Sequence, residues 1–395
     1  MGAQASHVSR GYRQMRMFTH KKRLLGCAGL LVAIFLLWTP AQRIIWAARV
    51  AFALRQLASG VELQNPDMTE TKVLRQDGAK TYEALCYSPT RSAARSAVII
   101  AAGLSEQGCY HPSLMALSRI LADKGLLVVT PDIREFREFQ ISADPIDQIA
   151  FWRQQIPSLE GGEKIRKAGL AGVSYSGTLA IIAAARPELR DHIDFVLTIG
   201  PYFDLLRCTK EWFAAGDPKE DARYYPNYPT RFYARWLLMR ASLELLHSPE
   251  DRSFLDQALN ALLISQEVLP APPDLTPEGR RWYEFALMRS GKTDAELADM
   301  IERQLTATLY ARLDPSDALK QLRCPLFMVH GAYDDLIPVR ESLALQERVP
   351  GSHLLISPFI THTHPSAEPL SFRQKLSAVR EMLVFCYRLS VAIQD

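Results

Sequence analysis

Short, uninterrupted apolar runs recur along the chain, and they restrict its fold more than any other feature. Val98–Ala102 reads VIIAA, Leu126–Thr130 reads LLVVT and Pro325–Val329 reads PLFMV. Ala168–Val173, Phe195–Ile199 and His353–Ser357 are of the same kind. A strand apolar at every position has both faces covered, the condition of a central parallel strand. Between these runs lie stretches with helical spacing. Ser113–Lys124 sets Leu114, Leu117, Ile120 and Leu121 on one face and stops at Gly125. Ile146–Ile156 and the small-residue stretch Gly177–Ala185, which ends before Pro187, follow. Such alternation predicts an α/β fold, a mostly parallel sheet with helices on both faces. Ligands of such sheets bind beyond the carboxyl ends of the strands, so chemistry is expected there.

The 395 residues suffice for one large α/β domain and an inserted subdomain. Residues 201–322 are too many for a loop, and two good helix sequences, RFYARWLLMRASLELLHS and LDQALNALLISQEVL, lie within them. The turn cluster LPAPPDLTPEG follows. This stretch is expected to be a helical cap inserted between two strands, dividing the core into residues 61–200 and 323–395. Tyr224, Tyr225, Tyr228, Phe232, Tyr233 and Trp236 cluster in it. Aromatics at helical spacing favour internal packing over the lining of an acyl pocket.

Residues 1–60 are set apart by charge. They hold nine Lys/Arg and no Asp or Glu, whereas the whole chain sums to +3, so the remainder carries about −6. A mildly acidic body argues against a nucleic-acid partner. Lys21-Lys22-Arg23 precedes an uncharged run from Leu24 to Gln42. As a helix it would span roughly 28 Å at about 1.5 Å per residue, close to the ~30 Å hydrocarbon core of a bilayer. Six basic residues lie before it and three looser ones after, which predicts a single-pass anchor with a cytoplasmic N-terminus. The large domain is then expected across the membrane. The alternative, secretion after signal cleavage, would have to use Thr39-Pro40-Ala41, a poor small-residue site. Met1-Gly2-Ala3-Gln4-Ala5-Ser6 also fits the myristoylation pattern. The following run, Ile44–Leu57, reads as an amphipathic helix, either at the membrane surface or packed on the domain.

Six cysteines (Cys27, Cys86, Cys109, Cys208, Cys324 and Cys386) are scattered without CxxC or Cys/His spacing. They suggest neither a zinc site nor a disulfide framework and read as small buried hydrophobes.

The sharpest chemical signal is Gly169-Leu170-Ala171-Gly172-Val173-Ser174-Tyr175-Ser176-Gly177, which runs from a strand straight into a helix. A serine at such a turn has its hydroxyl exposed at the sheet top, and the residues two before and two after it must be small. Gly172 satisfies the first condition; Ser176 stands where glycine is usual. Ser176 is the poorer nucleophile candidate, because Ser174 and Thr178 flank it with side chains. Gly172-Val173-Ser174-Tyr175-Ser176-Gly177 resembles the nucleophile elbow of the α/β-hydrolases, and the resemblance extends from about Val98 to the C-terminus, the cap excluded.

The resemblance implies a Ser, acid, His order of catalytic residues. After PLFMV comes His330-Gly331-Ala332-Tyr333-Asp334-Asp335-Leu336-Ile337-Pro338, similar to the family's acid loop, and Asp334 is the implied acid. Asp335 is expected to be solvated or to cap a helix. The base is expected after HLLIS, where His362 is the first choice and His364 the alternative. His353 opens that strand, far from the site. His362 and His364 lack a third ligand for a metal. Oxyanion donors are implied at the amides of Tyr175 and Leu104. Gly103-Leu104 takes the place of the family's His-Gly motif, with Ala102 where histidine is usual. Ser105-Glu106-Gln107-Gly108 either lines the site or makes a turn.

These residues together imply hydrolysis of a carboxylic ester, thioester or amide through an acyl-serine, with a small-molecule acyl substrate and no cofactor. A dehalogenase would need aspartate in place of Ser174. Two rival readings remain: an acyltransferase using the same triad, and a catalytically silent, membrane-tethered binding or scaffold protein.

Overall fold

The computed structural model describes residues 40–50, 67–213, 230–287, 294–358 and 371–394. Eight strands form one sheet in the order β1-β2-β4-β3-β5-β6-β7-β8. They are β1 (Met68–Asp77), β2 (Lys80–Pro89), β3 (Ser96–Ala101), β4 (Leu126–Pro131), β5 (Lys167–Val173), β6 (Phe195–Ile199), β7 (Leu326–Gly331) and β8 (His353–Ser357). From β4 to β8 every pairing is parallel; β1–β2 and β2–β4 are antiparallel. Each apolar run singled out above is a strand of the parallel part, and β3, β4 and β7 are buried at every residue. The architecture is the mostly parallel, helix-flanked α/β sheet that the apolar runs predict.

The hairpin β1–β2 has no counterpart in the sequence reading. β1 is MTETKVLRQD, an edge strand exposed or half-exposed along its whole length, so it carries no apolar run to notice. Only β2 turns a buried stretch, Ala84–Tyr87, toward the core.

Helices cover the sheet: α1 (residues 40–50), α2 (Pro112–Asp123), α3 (Pro145–Gln155) and α4 (Tyr175–Ala184). α2 starts on a proline, with His111 Nδ1 accepting from the Ser113 amide. α4 is buried along almost its whole length, as its Gly/Ala/Ile composition requires. Between β6 and β7 the chain makes α5 (Leu205–Phe213), α6 (Thr230–Ala241), α7 (Pro249–Ser265), α8 (Pro277–Leu287) and α9 (Ala295–Leu305). α10 (Arg340–Arg348) precedes β8, and α11 (Phe372–Gln394) follows it.

Among the described residues no helix is long and apolar enough to cross a membrane. Of the run Leu24–Gln42 only residues 40–42 are described, so the anchor, the cleavage site and the myristoylation pattern lie outside. Of the stretch Ile44–Leu57, residues up to 50 are described, and there α1 buries Trp46, Ala47 and Val50 against the domain. Cys86, Cys109, Cys208 and Cys386 are buried free thiols and Cys324 is half-buried. Burial pushes the Cys109, Cys324 and Cys386 thiols up to about 12, which leaves them inert at neutral pH. Cys27 lies outside the described residues.

Candidate active site

β5 ends at Val173 and α4 begins at Tyr175, leaving Ser174 alone to turn the chain. Its backbone is at φ 58°, ψ −126°, one of three positive-φ residues other than glycine among the described residues. Such a conformation costs on the order of 1–3 kcal/mol and persists only where the surroundings impose it. Here the surroundings do. The Ser174 amide donates to the Ile199 carbonyl at 2.6 Å, and its carbonyl accepts from the Gly177 amide at 2.9 Å. A Cβ on Gly172 would stand 2.2 Å from the Ser176 carbonyl oxygen and 2.7 Å from the Gly177 nitrogen. Only a hydrogen fits between strand and helix at that crossing.

Ser176 is fully buried. Its Oγ accepts from the Val173 amide at 2.9 Å and lies 2.9 Å from the Ala101 carbonyl, to which it donates. The departure from glycine therefore leaves the turn intact and stitches it to the end of β3. A hydroxyl so engaged is no nucleophile, whereas Ser174 is half-buried and reachable.

The loop after β3 comes directly against this turn. A Cβ on Gly103 would lie 3.5 Å from the Val173 carbonyl and 3.9 Å from Ser174 Cβ. Leu104 is thereby placed beside Ser174, and its carbonyl accepts from Tyr233 Oη of α6 at 2.9 Å. Tyr175 provides the first amide of α4. Its ring is buried against Tyr202 (centroids 6.1 Å apart), and its hydroxyl donates to the Ser142 carbonyl at 2.6 Å. Burial raises its pKa far above the tyrosine norm, so the ring is a fixed neutral prop.

Two strands along, β7 delivers Asp334, whose side chain is 3% exposed. Asp334 Oδ1 accepts from the amides of Leu336 (3.0 Å) and Ile337 (2.8 Å), and Oδ2 lies 3.5 Å from Nε2 of the buried His330. His330 Nε2 is 2.8 Å from the Ile337 carbonyl and Nδ1 2.7 Å from Ser342 Oγ. The turn is also tied to β8, since the Ala332 amide donates to the Ser357 carbonyl. Asp335 does not cap α10; Val339 occupies that position. His362 and His364 lie outside the described residues, as do Tyr224, Tyr225 and Tyr228. His353 stands at the opposite end of the sheet, its ring 4.8 Å from Phe327.

The structure thus gathers Ser174, Tyr175, Gly103, Leu104 and Asp334 at the carboxyl ends of β3, β5 and β7. The sequence reading missed two supports. Glu341 is fully buried and accepts from the amides of Phe203 (3.1 Å) and Asp204 (2.9 Å), binding α10 to the segment after β6. Arg207 pairs with it. Tyr233 reached the list of cap aromatics, but nothing in its spacing signalled a contact with Leu104. Phe232 and Trp236 are buried, as cap packing requires. Among the described residues no cluster of His, Cys, Asp or Glu could hold a metal.

No protein-family model and no curated protein matches the chain. Among solved structures it is similar to a 2,6-dihydroxy-pseudo-oxynicotine hydrolase, with TM-score 0.45 and 16% identity over 84% of this chain and 69% of that one. It is similar to an acylaminoacyl peptidase of Pyrococcus horikoshii at TM-score 0.45 and 12% identity, covering 83% of this chain but only 41% of that one. A dienelactone hydrolase of Anabaena variabilis gives TM-score 0.43 and 14% identity, over 79% and 96% of the two chains. At this distance the likeness concerns the course of the backbone alone.

Proposed function

We propose that the chain is a serine hydrolase that cleaves a carboxylic ester, thioester or amide through an acyl-Ser174 intermediate. The observation that carries this reading is the enforced positive φ of Ser174 at a strand-to-helix crossing with no room for a Cβ on Gly172. Strain of that kind is retained where it serves a reaction. The hydroxyl attacks the acyl carbon while a histidine takes its proton, then returns it to the leaving group. His362 is the proposed base and His364 its alternative, both in the segment after β8. β5 and β7 are two strand spacings apart, about 10 Å at ~4.8 Å each, a gap that an imidazole between Ser174 and Asp334 would bridge. Asp334, its Oδ1 held by two amides, would orient that ring. The Leu104 and Tyr175 amides would receive the oxyanion, each worth on the order of 10²–10³ in rate.

The chain is further proposed to sit on a membrane through residues 1–60, on the strength of the uncharged run and its basic flank.

A burst experiment tests the reading. With a p-nitrophenyl ester the full chain should release a burst of nitrophenol close to one per molecule, and Ser174→Ala should release none. An added alcohol that diverts the acyl group to a new ester would mark a transferase; absence of any nitrophenol release would favour the silent scaffold.

A further inference from the structure

α1 carries an apolar face that the body leaves uncovered. Trp46, Ala47 and Val50 are buried against the domain, and Trp46 Nε1 donates to the Lys124 carbonyl at 3.0 Å. The opposite side, Ala41, Ile44, Ile45 and Ala48, faces outward, with Ile44 59% and Ile45 44% exposed. A surface helix ordinarily turns polar residues to water on that side.

The location of α1 gives this face a direction. Lys124 ends α2 just before β4 begins, so α1 rests where the parallel strands start. Ser174, Gly103 and Asp334 all follow strand ends. β5 alone separates the two ends by about 20 Å, at ~3.3 Å per residue.

The sequence says what covers the face. Residues 40–42 belong both to α1 and to the uncharged run Leu24–Gln42, so no spacer separates that run from the body. No Asp or Glu precedes Gly60, and Arg49 is exposed beside the isoleucines. An exposed apolar face bordered by an arginine suits the interface of a bilayer containing anionic lipid, where such helices sink about 5–10 Å.

We infer that the strand-start end of the domain lies on the membrane and that the site around Ser174 opens away from it, into water. The substrate is then a water-soluble ester, thioester or amide, and not a lipid resident in the bilayer. The orientation rests on the membrane reading of residues 1–60, and the substrate class on the hydrolase reading. A lipid ester bond lies near the headgroups, and the site stands a full strand length beyond them.

Lipid quenching tests the orientation without requiring activity. The full chain carrying Cys27→Ser and Cys324→Ser is given one new thiol, through Ile44→Cys, Leu376→Cys or Tyr333→Cys, and labelled with bimane. Leu376 is included because Phe372 and Leu376 on α11 are 80% and 60% exposed and form the rival apolar patch; Tyr333 marks the strand-end side. In phosphatidylcholine–phosphatidylglycerol vesicles containing brominated lipid, the label at position 44 should be quenched several-fold more than at 333 or 376. Equal quenching at 44 and 333, or stronger quenching at 376 or 333, overturns the orientation. On the same vesicles a soluble p-nitrophenyl ester should turn over as fast as in detergent, and a bilayer-resident lipid ester at least about tenfold more slowly. Comparable cleavage of both overturns the substrate class. Cleavage of neither, with the quenching pattern intact, removes the hydrolase reading and the substrate class with it, but leaves the orientation standing.

Discussion

The turn after β5 and the turn after β7 face each other across the sheet top and are built on opposite principles. The first is shaped by exclusion: Ser174 sits at φ 58° because strand and helix cross too closely for a Cβ on Gly172. The second is shaped by attraction: Asp334 accepts two amides of its own loop, and none of residues 331–338 has a positive φ. A sterically enforced turn stores strain and tolerates no added atom. A hydrogen-bonded turn is relaxed and depends on its acceptor. The two should therefore fail in different ways.

The largest contrast is expected from Asp334→Asn. The amide keeps one oxygen for the Leu336 and Ile337 N–H groups, so the melting temperature should change little. Ester turnover should fall about 10³–10⁴-fold as the orienting charge is lost. Parallel loss of stability and activity would show that the Asp334 turn is as constrained as the turn at Ser174.

Gly172→Ala should do the reverse, acting first on stability. The new methyl would meet backbone atoms of Ser176 and Gly177 that cannot move without unwinding α4. The expected cost is about 3 kcal/mol, read as the shift of a urea midpoint. Gly169→Ala, three residues earlier on the other face of β5, meets the Phe195 ring first and should cost less, because a side chain yields more readily than backbone; the opposite ranking would deny the Gly172 crossing its special tightness.

Ser176→Ala removes the acceptor from the half-buried Val173 amide and should cost about 1–2 kcal/mol. Ser174→Gly should raise stability by about 1 kcal/mol, since glycine accepts a positive φ without strain. No gain in its urea midpoint would mean the turn is unstrained. The smallest effect is expected for Tyr233→Phe, which frees the Leu104 carbonyl from α6. A several-fold fall in kcat with KM unchanged is expected if that bond sets the Leu104 amide.

What could be read from the chain follows the same division. Positions governed by sterics and burial were legible: the apolar strands, Gly172, and Ser174 between strand and helix all leave marks in residue type. The turn that carries Asp334 was legible because its glycine and Ile-Pro pair punctuate it. Supports made by long-range bonds left no such mark. Glu341 reads as an ordinary helix-start carboxylate, Tyr233 as one more cap aromatic, and β1 as a polar stretch, because each owes its role to a partner far away in sequence. The choice between His362 and His364 stays where the sequence left it.

The central claim is that the hydroxyl at the β5–α4 crossing is the one that reacts. A fluorophosphonate probe applied to the full chain, followed by peptide mapping, addresses it directly. The label should fall on Ser174, vanish in Ser174→Ala and persist in Ser176→Ala. A label on any other residue, or one that survives Ser174→Ala, would contradict it.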